Sequence, residues 1–125
     1  MQEIIETSSA PSPIGPYSQA VRGNGFIFVS GQIPVEPGTG AVSGGDIAAQ
    51  TRQVMKNLAA ILEAAGSGVE KIVKTTVFLA ILEDFVRFNQ VYGEFLGNVR
   101  PARATVQVSR LPKEVLIQID AVALA

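Results

Sequence analysis

The chain has 125 residues, of which 47% are apolar, and a formal net charge of −1. This length predicts one domain, residues 1–125, with a core of modest size. No apolar run approaches the roughly 18 residues of a membrane span, and no block of like charge suits nucleic acid or an anionic membrane. Because Met1-Gln2-Glu3 resembles neither a secretory signal nor a transit peptide, a cytoplasmic location is the default expectation.

Two residue types are absent, and their absence limits the chemistry. The sequence has no cysteine and no histidine. This excludes disulfides and thiolate zinc sites. It also excludes Ser/His/Asp and Cys/His nucleophiles and acid–base catalysis by imidazole. Any catalysis must use carboxylates, arginine, lysine, tyrosine, hydroxyls, backbone groups and water. We expect neither a metal nor a cofactor.

The N-terminal part predicts a short edge strand over residues 3–7, followed by a constrained loop. Residues 8–16 include three prolines and a glycine, which fix backbone angles and leave few free donors. This loop is expected to deliver Tyr17 to a defined place.

A hairpin is predicted next, because Asn24-Gly25 separates two apolar runs, residues 19–22 and 26–33. Its second strand contains Ser30-Gly31. A glycine inside a strand pattern indicates a bulge or a ligand that lies close to the backbone.

The middle of the chain predicts a loop or broken hairpin over residues 34–45 and then a helix. Asp46 is a suitable N-cap, and Gly66 suits the position just after the helix. One face of this helix carries the apolar stripe. The other face is expected to be solvated, and its residues are Gln50, Arg52, Gln53, Lys56, Asn57 and Glu63.

A third long strand is predicted over residues 69–80, and a second helix runs from about Glu83 to Gly97. Asn89 interrupts the apolar stripe of this helix. A buried amide must be hydrogen-bonded, so Asn89 either ties down a neighbouring loop, which is the commoner role, or touches a ligand.

The C-terminal part shows two period-two patterns, residues 102–108 and 115–124, separated by a loop that contains Pro112. They predict a β-hairpin whose register places Arg103 beside Asp120. This pair is either a weak salt bridge on a solvent-exposed sheet face or a functional site. In the functional site, the planar guanidinium binds a small carboxylate.

These elements predict an α+β fold with two helices on one face of a sheet, in the order ββ, α, β, α, ββ. The second sheet face would then be apolar with a polar rim, which favours a closed homo-oligomer. Its apolar residues are Phe78, Leu116, Val122 and Leu124, beside Arg103, Thr105 and Asp120.

A series of short motifs runs in order through nearly the whole chain. They are Gly15-Pro16-Tyr17-Ser18-Gln19-Ala20-Val21, Val29-Ser30-Gly31-Gln32-Ile33-Pro34, Gln50-Thr51, Asn57-Leu58, Lys74-Thr75-Thr76-Val77-Phe78, Asn89-Gln90-Val91-Tyr92, Arg100-Pro101-Ala102-Arg103 and Arg110-Leu111-Pro112-Lys113. Together they resemble the Rid family (reactive intermediate deaminase, also called YjgF).

The resemblance implies a chorismate-mutase-like ββαβαββ fold and a homotrimer whose sheets face a central barrel, with pockets at the subunit interfaces. It also implies a 2-iminobutanoate/2-iminopropanoate deaminase. Such enzymes hydrolyse 2-aminoacrylate and 2-iminobutyrate, which pyridoxal-phosphate dehydratases form, to 2-keto acids and ammonia.

The resemblance also assigns roles to individual residues. Arg103 would bind the substrate carboxylate, and Asp120, where active members usually have glutamate, would position the attacking water. The expected substrate-binding residues are Tyr17, Ser30, Gly31, Asn89 and Thr105, the last standing where many members have cysteine. Because aspartate is shorter than glutamate, and a misplacement on the order of 1 Å can cost roughly a hundredfold in rate, reduced activity is expected.

Hydrolysis of a protonated imine needs only a bound substrate carboxylate, a positioned water and a base. The residues named above can supply these without a metal or a nucleophilic side chain. Two alternatives stay open. One is a non-catalytic sensor of small 2-keto acids or amino acids in the same cleft. The other is an RNA-directed activity, since some relatives are described as translation inhibitors or endoribonucleases. The pI of about 5.4 and the absence of histidine disfavour this second alternative.

Overall fold

Six strands form one mixed sheet in the computed structural model, which describes residues 2–125. Across the sheet the strand order is β1-β2-β3-β6-β4-β5. The strands are β1 (Glu3–Ile5), β2 (Ala20–Gly23), β3 (Phe26–Gln32), β4 (Ile72–Leu79), β5 (Ala102–Gln107) and β6 (Ile117–Leu124), and the α-helices are α1 (Ile47–Ala64) and α2 (Phe85–Leu96). The predicted α+β class is confirmed.

The predicted hairpin is formed by β2 and β3, which pair antiparallel with Gly23 opposite Phe26. Asn24 and Gly25 make the turn with positive φ angles of 52° and 81°. Two residues with positive φ match the right-handed twist of a hairpin, and asparagine and glycine adopt them most readily. The predicted edge strand is also present, because β1 pairs with β2 at the margin of the sheet.

Helix α1 begins and ends where its sequence predicts. The Asp46 carboxylate accepts a hydrogen bond of 3.1 Å from the Ala49 N–H, and this bond lowers the pKa of Asp46 below its usual value. At the other end, Gly66 has a φ of 78° and closes the helix.

The prediction of a solvated polar face on α1 is wrong for Gln50 and Asn57, which are both buried. The Asn57 amide donates to the carbonyls of Ile33 and Val35 at 3.2 and 3.0 Å, and Gln50 accepts from the Leu116 N–H at 2.8 Å. These two side chains attach loops to the helix, so hydrogen bonding compensates for their burial.

The predicted C-terminal hairpin is also wrong. Strand β5 runs parallel to β4 at the edge of the sheet, whereas β6 lies between β3 and β4 and is antiparallel to both. Both period-two segments are strands, but they pair with other partners. The reason is that β4, α2 and β5 form a crossover unit, which places β5 beside β4.

One sheet face packs against the helices and the other is open. Side chains on the helix face of β3, β4 and β6 join α1 and α2 in the hydrophobic core, with Ile27, Val77 and Ile119 fully buried. On the open face, Phe28 and Leu124 remain 50% and 47% exposed. The sequence therefore predicted an apolar open face correctly, although Arg103 and Thr105 do not belong to it.

No helix within residues 2–125 has the length and apolar character needed to cross a membrane.

Candidate active site

The seven predicted site residues fall into two groups in the folded chain. We name the first the arginine cluster, which consists of Arg103, Asn89 and Thr105 on β5 and α2. The second is the bulge cluster, which consists of Tyr17, Ser30, Gly31 and Asp120 on the N-terminal loop, β3 and β6.

Arg103 is half-buried on the helix face of β5. Its Nη1 donates a 2.8 Å hydrogen bond to Asn89 Oδ1. The guanidinium carbon also lies 5.5, 5.3 and 5.0 Å from the ring centroids of Phe85, Phe88 and Tyr92, within range of cation–π attraction. Rings and an amide therefore fix the guanidinium and leave its charge available to a ligand.

No carboxylate within residues 2–125 forms an ion pair with Arg103. The ion pairs in that range are Arg22–Glu3 and Arg110–Glu114, both away from the cluster. An uncompensated guanidinium in a partly buried place favours a bound anion, because charge-assisted hydrogen bonds are stronger where water is limited.

Asn89 and Thr105 differ in how their polar atoms are satisfied. The Asn89 amide oxygen accepts from Arg103, and within residues 2–125 its amide nitrogen forms no hydrogen bond that would tie down a loop. Thr105 lies two residues after Arg103 on the same face, and its buried Oγ1 has no hydrogen-bond partner within residues 2–125. Asn89 thus contacts the guanidinium directly, whereas the Thr105 hydroxyl is closed to solvent within one chain.

Sequence reasoning missed the support beneath Arg103. The Tyr92 hydroxyl forms a 2.7 Å hydrogen bond with that of buried Thr75 on β4, which fixes the ring under the guanidinium. The aromatic spacing along α2 was visible in the sequence, but it indicated only a core-facing stripe.

A cavity of about 480 Å³ opens beside the arginine cluster. This volume suits a small metabolite. The cavity is lined by Asn89, Tyr92, Gly93, Leu96, Arg100, Pro101 and Arg103.

The bulge cluster is centred on an irregularity between β3 and β6. Val29 pairs with Ala121 and Gln32 with Ile119, so that Ser30 and Gly31 together oppose Asp120. Two residues opposite one define a β-bulge, which confirms the bulge predicted at Gly31. Asp120 is half-buried on the open face.

A side chain at position 31 would collide with Gln118. A Cβ there would lie 2.5 Å from Nε2 of Gln118, a residue two positions before Asp120. A side chain would therefore push Gln118 away or distort the bulge. Gly31 thus keeps the backbone of the bulge accessible beside Asp120.

Ser30 and Gln19 hold the loop that carries Tyr17. Ser30 Oγ donates to the Ser18 carbonyl at 2.6 Å, and the Ser30 N–H donates to the Gln19 carbonyl at 2.9 Å. The buried Gln19 side chain bonds to backbone groups of residues 7–11 through both its oxygen and its nitrogen. Sequence reasoning missed this role of Gln19, because a single amide beside a loop gives no distinctive signal.

Tyr17 is 53% exposed and lines a second cavity of about 420 Å³. Gly31 lies in the same wall. The remaining lining residues are Pro11, Ser12, Pro13, Ile14, Gln19, Gln32, Ile33, Val35, Glu36, Gly38, Thr39, Gly40 and Lys113.

Arg103 and Asp120 do not lie side by side, so the arrangement predicted from the hairpin is wrong. Arg103 is in register with Thr75 on the helix face, whereas Asp120 is in register with Thr76 on the open face. The two cavities also share no lining residue. Within one chain the two clusters do not form a joint site.

Among residues 2–125, no group of three or more histidine, cysteine, aspartate or glutamate side chains is arranged to hold a metal ion.

Comparison with known proteins identifies the family. Residues 7–125 match the family model described as Endoribonuclease L-PSP. The RutC family protein PH0854 of Pyrococcus horikoshii is 54% identical, over 98% of each chain. The chain therefore belongs to this family, which is also called RutC or Rid.

Solved structures support the same assignment. YyfA of Yersinia pestis, described as a member of the conserved Rid protein family, is 47% identical with a TM-score of 0.97 over 100% of both chains. TdcF of Escherichia coli, solved with bound serine, is 45% identical with a TM-score of 0.94 over 98% of each chain. The six-stranded sheet and two helices are thus the fold of Rid proteins.

Proposed function

We propose that the protein is a cytoplasmic 2-iminobutanoate/2-iminopropanoate deaminase, which hydrolyses reactive 2-imino and enamine acids to 2-keto acids and ammonia. The observation that carries this proposal is the guanidinium of Arg103, which lines a cavity and is held by Asn89 and three aromatic rings without an acidic partner. The Rid family, which includes imine deaminases, supports the same chemistry.

The site proposed here is shared between two copies of the chain in a homotrimer. One copy supplies the arginine cluster and its neighbour supplies the bulge cluster. Two features support sharing: the clusters lie on opposite faces of the sheet in one chain, and the open face carries exposed apolar residues, including Phe28 and Leu124.

In the proposed reaction, the Arg103 guanidinium binds the substrate carboxylate and holds the protonated imine in place. Water held by Asp120 attacks the imine carbon, and Asp120 accepts a proton from that water as the C–O bond forms. Protonated Asp120 then returns this proton to the nitrogen of the carbinolamine. As the C–N bond breaks, Asp120 takes the proton of the carbinolamine hydroxyl, so that the 2-keto acid forms and ammonia leaves. Ammonia then takes this proton from Asp120, leaves as ammonium and restores the carboxylate. One water is consumed for each ammonia released.

The other site residues have supporting roles in this proposal. Tyr17 forms a wall of the site, and Ser30 and Gly31 line it, with Ser30 also holding the Tyr17 loop. Asn89 orients Arg103, and Thr105 contacts the ligand through its backbone, since its hydroxyl is buried.

The second candidate function is a non-catalytic sensor of small 2-keto acids or amino acids. The serine bound to TdcF favours it, and so does the short arm of Asp120. An RNA-directed activity, which the family description names, is less favoured, because the chain has a net charge of −1 and no block of like charge.

The proposal is tested with a threonine or serine dehydratase that generates the imine, with semicarbazide to trap it. Added wild-type protein should lower semicarbazone formation. The variant Arg110→Gln should lower it equally, since Arg110 is exposed and lines neither cavity. Wild-type protein that binds 2-ketobutyrate yet leaves semicarbazone formation unchanged would favour the sensor.

A further inference from the structure

The cavity beside Arg103 contains a second guanidinium that the proposed reaction does not use. Arg100 lines the same volume of about 480 Å³, and no aspartate or glutamate lies among its lining residues. Two cations therefore border one small cavity without an acid between them.

Arg100 is fixed in position but keeps free donors. Its Nη1 donates to the carbonyls of Gly97 and Val99 at 2.5 and 2.8 Å, which anchors the guanidinium to the end of α2. Nε and Nη2 form no hydrogen bond within residues 2–125. These N–H groups remain available to an acceptor in the cavity.

The backbone between the two arginines is rigid. Pro101 fixes its φ angle, and β5 begins at Ala102, so that Arg103 lies within a paired strand. The backbone positions of the two arginines are therefore preset, and a ligand that binds both would not have to order this segment of the main chain.

A ligand with one carboxylate would neutralise Arg103 and leave Arg100 unpaired. We propose that the cavity takes a ligand with two anionic groups, a 2-imino dicarboxylate or the corresponding 2-keto dicarboxylate. Its 2-carboxylate binds Arg103 and its distal carboxylate binds Arg100. This assignment rests on the proposed imine hydrolysis and extends its substrates from 2-imino monocarboxylates to 2-imino dicarboxylates, which the cavity should prefer.

The test is titration calorimetry with two probes, 2-ketoglutarate and 2-ketobutyrate. Wild-type protein should bind the dicarboxylate up to about fivefold more tightly, since an ion pair with the exposed Arg100 is worth up to about 1 kcal/mol. Arg100→Gln should reduce this preference towards unity. Arg100→Lys, which keeps the charge and can still donate to the helix end, should keep part of it.

The control is Arg110→Gln, which removes an exposed guanidinium paired with Glu114 and should retain the wild-type preference. Unchanged preference in Arg100→Gln, or equal binding of the two probes by wild-type protein, would overturn the dicarboxylate assignment alone. If neither keto acid binds wild-type protein, the proposed function fails with it.

Discussion

The side chains that hold the Arg103 guanidinium are neutral, and this decides what Arg103 can do. The rings of Phe88 and Tyr92 attract the cation without cancelling its charge, and Asn89 occupies only one of its nitrogens. A carboxylate in the same place would compete with a ligand. The packing of α2 against β5 therefore preorganises an anion-binding site in the absence of a ligand.

Replacing Arg103 with lysine tests this role. Arg103→Lys keeps the charge but loses the planar fork and the geometry of the Asn89 contact, so binding of 2-keto acids should weaken by about 1.5–3 kcal/mol. Titration calorimetry with pyruvate or 2-ketobutyrate measures the change, with Arg110→Lys as the matched control. Equal affinity in Arg103→Lys and wild type would show that the carboxylate is held elsewhere.

Asp120 decides between the enzyme and the sensor. Asp120→Asn should abolish imine hydrolysis while keeping keto-acid binding, because the amide cannot accept a proton from water. Asp120→Glu should preserve or raise the rate, since the longer arm reaches closer to the attacking water.

Both Asp120 variants are measured in the dehydratase-coupled assay and by calorimetry. Full hydrolysis by Asp120→Asn would disprove the role as base. Keto-acid binding without hydrolysis, in both wild type and Asp120→Glu, would establish the sensor.

At the scale of elements, the sequence predicted where strands lie better than how they pair. The alternation in β5 and β6 shows that each is a strand with two different faces, but alternation says nothing about the neighbouring strand. The β4–α2–β5 crossover sends β5 to the sheet edge, and this separated Arg103 from Asp120. The bulge at Gly31 was predictable, because a glycine within a strand is itself a local signal.

The buried amides show a second limit of sequence reasoning. Asn57 and Gln50 lie on the polar side of α1, where helical periodicity alone predicts contact with solvent. Loops cover that side, and the amides bond to their backbone groups. Periodicity describes one helix, whereas loop packing depends on chain segments distant in sequence.

The N-cap of α1 gives a prediction with a defined pH dependence. Asp46→Ala removes the bond to the Ala49 N–H and should lower the melting temperature by a few degrees. Because this bond lowers the folded-state pKa of Asp46 below 3.8, the ionised cap stabilises the fold fully above that pH. The difference in melting temperature should shrink as the pH falls through the folded-state pKa.

Thermal melts of wild type and Asp46→Ala at neutral pH and in the acid range measure this effect. Asp46→Asn serves as the control, since asparagine caps helices without a titrating charge. A difference between wild type and Asp46→Ala that stays constant into strong acid would contradict the electrostatic contribution.

At the scale of the whole molecule, the open apolar face favours a closed homo-oligomer, and the assembly proposed from the family resemblance is a trimer. Sedimentation equilibrium should give about three times the chain mass of 13.2 kDa. Phe28→Lys, on the open face, should shift the protein towards monomer and remove imine hydrolysis. Val86→Lys, at an exposed helix position outside that face, should do neither. A monomeric wild type at micromolar concentration would contradict both the assembly and the shared site.

Sharing of the site can be tested by mixing two inactive chains. Co-expressed Arg103→Ala and Asp120→Asn chains should recover about a quarter of wild-type hydrolysis, since random trimers contain interfaces where an intact Arg103 meets an intact Asp120. Each variant expressed alone should remain inactive. Absence of any recovery in confirmed mixed trimers would place both residues in one copy.

The position of β6 affects how the protein is made. It lies between β3 and β4 but is the last described strand in chain order. While the ribosome is still synthesising this segment, β1-β2-β3 and β4-β5 have no shared hydrogen bonds, and each exposes an unpaired edge that can attract other chains. A nascent chain stalled before Ile117 should therefore aggregate or bind chaperones, and only release of β6 from the exit tunnel can join the two parts into one sheet.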